Sequence, residues 1–272
     1  MKRISIENDS IPALGLGTWQ LQGSEATSAV EHALHLGYRH LDTAQAYDNE
    51  REVGAGISRS SVPRDEIFLT TKVWWENLEA DDVLRSTEAS LRRLGTDHVD
   101  LLLVHWPPSD EIPLDEPLTA LTTLMTQGKT RHIGVSNFTP TLMEKALEKG
   151  PIACDQVEFH PFLGQDELLE LARNRGFVLT AYSPLARGRV LEEEALRRIG
   201  EGHGKTPAQV ALRWLIQQES VAAIPKASDP GHREENLAIF DFELSSEEME
   251  AIRDLDRGER LIDPEFAPNW DQ

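Results

Sequence analysis

Eight short apolar runs, each followed by a segment of helical period, constrain this chain more than any other feature. The runs cover residues 13–17, 38–41, 67–71, 99–104, 131–135, 153–158, 177–181 and 220–224. Apolar residues at helical spacing mark 24–36, 50–58, 80–94, 117–127, 140–148 and 165–175, then a pair at 191–199 and 207–217, and finally 233–240 and 246–256. Gly37, Gly95, Gly128 and Gly176 stop four of these helices. Thr206-Pro207 opens another, as a cap followed by a proline at the first helical position. Mostly apolar strands are expected where a parallel sheet is covered on its outer face. Alternation favours a parallel sheet, and eight repeats favour closure into an α/β fold, the (β/α)8 TIM barrel. An open doubly wound sheet would call for Gly-x-Gly-x-x-Gly at the first helix. Gly15 and Gly17 are present, but the stretch from Trp19 to Gly23 does not complete that motif. Residues 4–6 and 10–12, around Glu7-Asn8-Asp9, predict a hairpin ahead of the barrel. One domain spanning residues 1–272 is expected, since such barrels run to ~250 residues. The tail from Arg260 onward carries prolines and aromatics with no period.

In a barrel of this kind the C-terminal ends of the strands meet at one mouth, where chemistry sits. Asp42, Lys72, His105, Asn137, Gln156, Tyr182 and Lys226 end or nearly end strands two to eight in turn. Tyr47 lies on the loop after Asp42, ahead of a helix that Asp48-Asn49 can cap. Taken singly these residues are ordinary. A lone Asp at a strand end is usually a helix cap, a lone Lys is usually solvated, and a lone Tyr is usually a half-buried aromatic. Their convergence on one rim makes them a candidate reactive set. A phenol titrates near ~10 and is a poor acid at neutral pH, but a neighbouring ammonium lowers that value. Lys72 can supply the ammonium, Asp42 can hold it, and His105 can orient a substrate oxygen. That suits carbonyl reduction, with a proton going to oxygen and hydride to carbon. No side chain is a hydride source, so a reduced nicotinamide cofactor is implied.

Composition narrows the partners. There are 47 acidic against 27 basic residues, a net charge of −20, which disfavours nucleic acid and anionic membrane surfaces. Two readings of that charge stand: a salt-adapted, acidic-proteome protein, or an ordinary acidic enzyme. The single cysteine, Cys154, cannot form an internal disulfide. At this length no metal staple is needed. No signal-peptide pattern and no run of ~18 apolar residues is present, so a cytoplasmic location without membrane association is expected.

The chain resembles the aldo-keto reductases along nearly its whole length. The pieces that carry the resemblance are Gly15-Leu-Gly-Thr-Trp19, Asp42-Thr-Ala-Gln-Ala-Tyr47, Thr71-Lys72, His105-Trp106, Gly134-Val-Ser-Asn-Phe138, Gln156-Val-Glu-Phe-His-Pro161, Ala181-Tyr-Ser-Pro-Leu185, Ile224-Pro-Lys226 and Glu235-Asn236. The resemblance implies a (β/α)8 barrel and a catalytic tetrad of Asp42, Tyr47, Lys72 and His105, with Tyr47 as the acid. It implies NADPH, with NADH also admitted, its nicotinamide held by Ser136, Asn137 and Gln156 with Tyr182 stacked on the ring. Further cofactor contacts are implied at Thr18, Asp42, Ser183, Leu185, Lys226, Ser228, His232, Glu235 and Asn236. Trp19, Trp74 and Trp106, with Tyr47 and His105, would wall the substrate pocket. NADPH-preferring members hold the 2′-phosphate with Lys-Ser-x-Thr followed by Arg. Here Lys226 is kept, but Ala227, Asp229 and His232 stand in the other places, which implies weakened selectivity over NADH. The tail resembles that of short prokaryotic members, the B-type 2,5-diketo-D-gluconate reductases. Small aldehydes, keto acids or keto sugars, and a monomer, are implied. Two rivals remain at this point: a non-catalytic nicotinamide-binding member on the same barrel, and a hydrolase using Glu158 as a second acid.

Overall fold

The computed structural model describes residues 2–6 and 9–270. An antiparallel hairpin, β1 (Arg3–Ile6) and β2 (Asp9–Pro12), comes first. Glu7 and Asn8 of the expected turn lie outside the described residues. Ile6 and Ile11 of the hairpin are buried in the same apolar core as the barrel strands.

The barrel strands are β3 (Leu16–Gly17), β4 (His40–Asp42), β5 (Phe68–Val73), β6 (Val99–Val104), β7 (Thr130–Ser136), β8 (Ile152–Glu158), β9 (Val178–Tyr182) and β10 (Val221–Ala223). Each is parallel to its neighbour in chain order. Parallel bridges Leu14↔Ala223 and Gly17↔Lys226 join the two ends. Gly17 N–H donates to the Pro225 carbonyl at 3.1 Å, and Gly15 N–H to that of Ala223 at 2.9 Å. Closure explains the two glycines. A Cβ on Gly17 would lie 2.6 Å from the Ile224 carbonyl oxygen, and one on Gly15 would lie 2.7 Å from His40 Nδ1. They serve close backbone and side-chain approach at the seam rather than a phosphate turn.

Helices α1 (Gly23–Leu36), α2 (Glu50–Arg59), α3 (Ala80–Leu94), α4 (Asp115–Thr126), α5 (Pro140–Lys149) and α6 (Asp166–Arg175) follow the first six barrel strands. Two helices, α7 (Glu194–His203) and α8 (Pro207–Gln217), separate β9 from β10, and α9 (Pro230–Leu237) and α10 (Ser246–Arg253) follow. Every residue of β5, β6 and β8 is buried, as strands covered on both faces must be. Helix boundaries differ from the sequence reading by up to a few residues, and at two of them the local cause is plain. Residues 186–192 form a 3-10 turn with Ala186 and Arg187 left-handed, so α7 begins only at Glu194, where Glu193 caps it. α9 begins at Pro230 rather than 233, because the Asp229 carboxylate accepts from the backbone N–H of Gly231 at 2.8 Å and of His232 at 3.2 Å.

Candidate active site

The floor of the mouth is a buried charge relay. Asp42 ends β4 and Lys72 lies one residue from the end of β5, and both are buried. Lys72 Nζ donates to Asp42 Oδ1 at 2.6 Å, to the Thr43 carbonyl at 2.9 Å and to Tyr47 Oη at 3.2 Å. The second oxygen of Asp42 accepts from Gln156 Nε2 at 2.8 Å. Tyr47 reaches this relay because its loop is pinned. It closes a 3-10 turn (Gln45–Tyr47) with Asp48 left-handed at φ 52°. Asn49, expected as a helix cap, instead stitches loops together. It accepts from Thr43 Oγ1 at 2.7 Å and donates to the Thr18 and Leu21 carbonyls at 2.8 and 2.9 Å. Gln45 Oε1 accepts from Trp74 N–H at 3.0 Å, so the Tyr47 loop also fixes the start of the loop carrying Trp74.

Burial opposes the Lys72 ammonium, but Asp42 and Tyr47 beside it outweigh that, and its pKa is raised. The Tyr47 phenol is also raised, chiefly by burial, with Asp42 adding to it; Lys72 pulls the other way without prevailing. The expected net lowering by the ammonium is therefore corrected, because desolvation of the phenolate is the larger effect. The phenol stays protonated at neutral pH and so could donate a proton. Burial and the nearby Lys72 charge hold His105 well below the usual histidine range, so its imidazole is neutral. Its ring stands edge-on to Tyr47 and Trp74, at 5.7 and 5.3 Å between centroids.

A cavity of about 660 Å³ opens above the relay, within the range usual for small-molecule sites. Asp42, Tyr47, His105, Trp19, Trp74, Trp106, Asn137, Gln156, Tyr182, Ser183 and Lys226 all line it, while Lys72 lies beneath. Asn137, left-handed at φ 64°, accepts from Tyr182 Oη at 2.7 Å and donates to the His105 carbonyl at 2.9 Å. Ser136 and Thr18 are buried behind the wall, each hydroxyl donating to a backbone carbonyl, of Gln156 and Asp42 respectively. Leu185 packs half-buried against the core. Ser228 is exposed on the loop before α9, His232 and Glu235 are exposed on α9, and Asn236 is buried there. Lys226 donates to Ser228 Oγ at 3.4 Å. Arg233 is buried and spends its guanidinium on the Ala227 and Ser228 carbonyls at 2.8 and 2.9 Å, bracing the loop.

Two groups of lining residues went unread in the sequence. Arg187 is one, its guanidinium 5.6 Å from the Trp19 ring centroid. The other is the tail, where Leu261, Ile262, Asp263, Pro264 and Phe266 form a wall. Phe266 stacks on Trp75 at 4.8 Å and meets Trp74 and Trp106 edge-on. Aromatics without period in a structureless tail were the available signal. Glu158, the second acid of the hydrolase alternative, faces this tail and accepts from its backbone amides.

The closed eight-stranded barrel carries hydrogen-bonded Asp42, Lys72 and Tyr47 and a neutral histidine at its mouth, the arrangement of a class of barrel proteins able to move a proton at a carbonyl. The profile described as "Aldo/keto reductase family" matches residues 13–257, and the chain belongs to that family, which generally uses NADP(H). It is an oxidoreductase acting on carbonyl groups. It is 44% identical over 267 residues to methylglyoxal reductase DkgB of Escherichia coli O157:H7, covering 96% of this chain and all, 100%, of that one. Glyoxal reductase of Bacillus subtilis (strain 168) is 43% identical over 265 residues, covering 96% of this chain and 93% of that one. A crystal structure carrying the provisional name 2,5-diketo-D-gluconic acid reductase B superimposes with a TM-score of 0.97 at 49% identity, covering 100% of this chain and 98% of that one. Among the described residues no helix is long and apolar enough to cross a membrane, and no cluster of side chains could hold a metal ion.

Proposed function

We propose that this chain reduces small dicarbonyls and keto sugars, of the methylglyoxal and 2,5-diketo-D-gluconate kind, with NADPH preferred and NADH usable. The observation that carries the reading is Lys72 Nζ bridging Asp42 and Tyr47 under the cavity, at 2.6 and 3.2 Å. The lining suits a nicotinamide nucleotide. The Tyr182 ring offers an aromatic face, the Gln156 amide oxygen takes no hydrogen bond among the described residues, and Lys226 and Arg187 are exposed cations for phosphates. A bound reduced nicotinamide supplies hydride to the carbonyl carbon. Tyr47 Oη gives its proton to the carbonyl oxygen, and Lys72 stabilises the phenolate left behind. Asp42 keeps Lys72 charged and in place. Neutral His105 orients the carbonyl oxygen by a hydrogen bond. The Trp74, Trp106 and Phe266 wall keeps water from the reacting carbon.

The names of the relatives support small dicarbonyls, and the compact aromatic cavity supports them independently. A non-catalytic nicotinamide binder would have no use for the full relay. The test is NADPH oxidation followed by absorbance across aldehydes, α-keto acids, methylglyoxal and keto sugars. Turnover with small dicarbonyls is expected. Cofactor binding without oxidation on any member of the panel would establish the non-catalytic alternative.

A further inference from the structure

We propose that Glu158 is a positioning residue for the substrate, acting as the latch that holds the C-terminal tail in place as a cavity wall. The inference rests on reading the cavity as the substrate site. Glu158 ends β8, two residues beyond Gln156, and its side chain is fully buried. Its carboxylate faces the tail. Oε1 accepts from Leu261 N–H at 3.0 Å, and Oε2 accepts from Leu261 and Ile262 N–H at 3.1 and 3.0 Å. His160, also fully buried, places Nε2 3.2 Å from Oε1. Its Nδ1 accepts from Phe162 N–H at 3.3 Å, which leaves the hydrogen on Nε2, pointing at Glu158. The carboxylate thus meets a side-chain donor and two successive backbone donors of the tail. Hydrogen bonds to an ionised acceptor are about twice as strong as neutral ones.

What the latch holds is the wall. Residues 257–270 contain no helix or strand, so no ladder fixes them. Leu261 and Ile262, whose amides are latched, and Pro264 and Phe266 just beyond them line the cavity. The segment also folds on itself. Trp270 Nε1 donates to Asp263 at 2.8 Å, and the Arg260 guanidinium lies 3.6 Å from the Trp270 ring centroid. The latch therefore sets where a self-packed strap sits on the barrel. None of the residues argued to move the proton needs Glu158, so its loss should fall on substrate fit rather than on chemistry.

The test uses the full chain as Glu158→Ala, Glu158→Gln, Leu261→Pro, which deletes one tail N–H, its control Leu261→Ala, which removes the same cavity-lining side chain but keeps that N–H, and the Ala/Pro double variant. Steady-state kinetics with methylglyoxal and NADPH, NADPH Kd by tryptophan fluorescence, and amide exchange at residues 261–262 are read together. Glu158→Ala is expected to raise KM about tenfold, keep kcat within about threefold and NADPH Kd within about twofold, and lose protection at 261–262. Glu158→Gln should fall between, since its amide oxygen still accepts. The double variant should lose no more than Glu158→Ala and Leu261→Ala combined, because the missing carboxylate and the missing N–H break the same contact. A fall in kcat at unchanged KM, unchanged amide protection, or multiplying effects in the double variant would overturn the latch. If Glu158→Ala does not fold, Leu261→Pro against Leu261→Ala decides by the same KM-against-kcat split and by exchange at residue 262. A wild type that turns over no carbonyl while Glu158→Ala loses tail protection would sink the functional reading and leave the latch standing.

Discussion

Replacing Asp229 by asparagine isolates one charge at the expected 2′-phosphate end of the cofactor site. Asparagine has the shape of aspartate and caps helices about equally well, so the bonds to Gly231 and His232 N–H should survive. What changes is repulsion. A carboxylate and a phosphate carrying about −1.5 to −2 charges would, if held ~6 Å apart in a water-like dielectric, repel by roughly 1 kcal/mol, or about fivefold in Kd. The site is exposed, so the high dielectric is appropriate, and salt should screen the effect over a Debye length of about 8 Å at physiological ionic strength. NADPH Kd by fluorescence is therefore expected to tighten several-fold at low salt and less at high salt, with NADH, which lacks the phosphate, unchanged. His232→Arg should add to the preference by supplying a bidentate fork. Equal changes for both cofactors, or no change for NADPH at low salt, would refute this reasoning.

Asp42→Ala should strand a buried ammonium with only the Thr43 carbonyl and Tyr47 as acceptors, costing about 3–5 kcal/mol in urea unfolding; a cost below about 1 kcal/mol would mean that water reaches Lys72. His40 is fully buried and burial holds its pKa down at about 4 against 6.5, so the unfolded chain takes up a proton that the folded one refuses. Its contribution is intact above pH 6.5 and is lost as pH falls toward 4, by up to roughly 3 kcal/mol, with His105 acting in the same direction; a urea midpoint flat from pH 7.5 to 4.5 would contradict this. With a net charge of −20, Tm should hold or rise from low to molar KCl, and a steady fall would show that self-repulsion is not a significant cost.

Strand ends were legible because the alternation assigns each of them one address. Asp42, Lys72, His105 and Gln156 could be placed together from order along the chain alone. Gly15 and Gly17 read as a failed phosphate motif until closure showed what their missing Cβ atoms make room for. The tail wall was illegible because it is held by the backbone amides of Leu261 and Ile262, which no side-chain pattern reports. Asp229 read only as a residue standing where a threonine is usual, and its second role, capping the start of α9 with the same carboxylate, showed only in the fold. Arg187 entered the cavity through left-handed backbone at φ 53°, which an arginine does not advertise. The sign at Tyr47 depended on weighing burial against one ammonium, and burial is a property of the folded chain.

The central claim is that Tyr47 delivers the proton. Tyr47→Phe keeps the ring beside Lys72 and His105 and removes only the hydroxyl that Lys72 touches at 3.2 Å. The measurement is kcat/KM for methylglyoxal with NADPH, alongside NADPH Kd, on wild type and variant. A loss of about 10²–10⁴-fold is expected, as for removal of a positioned general acid, with Kd unchanged. Wild-type turnover in the variant would contradict the account.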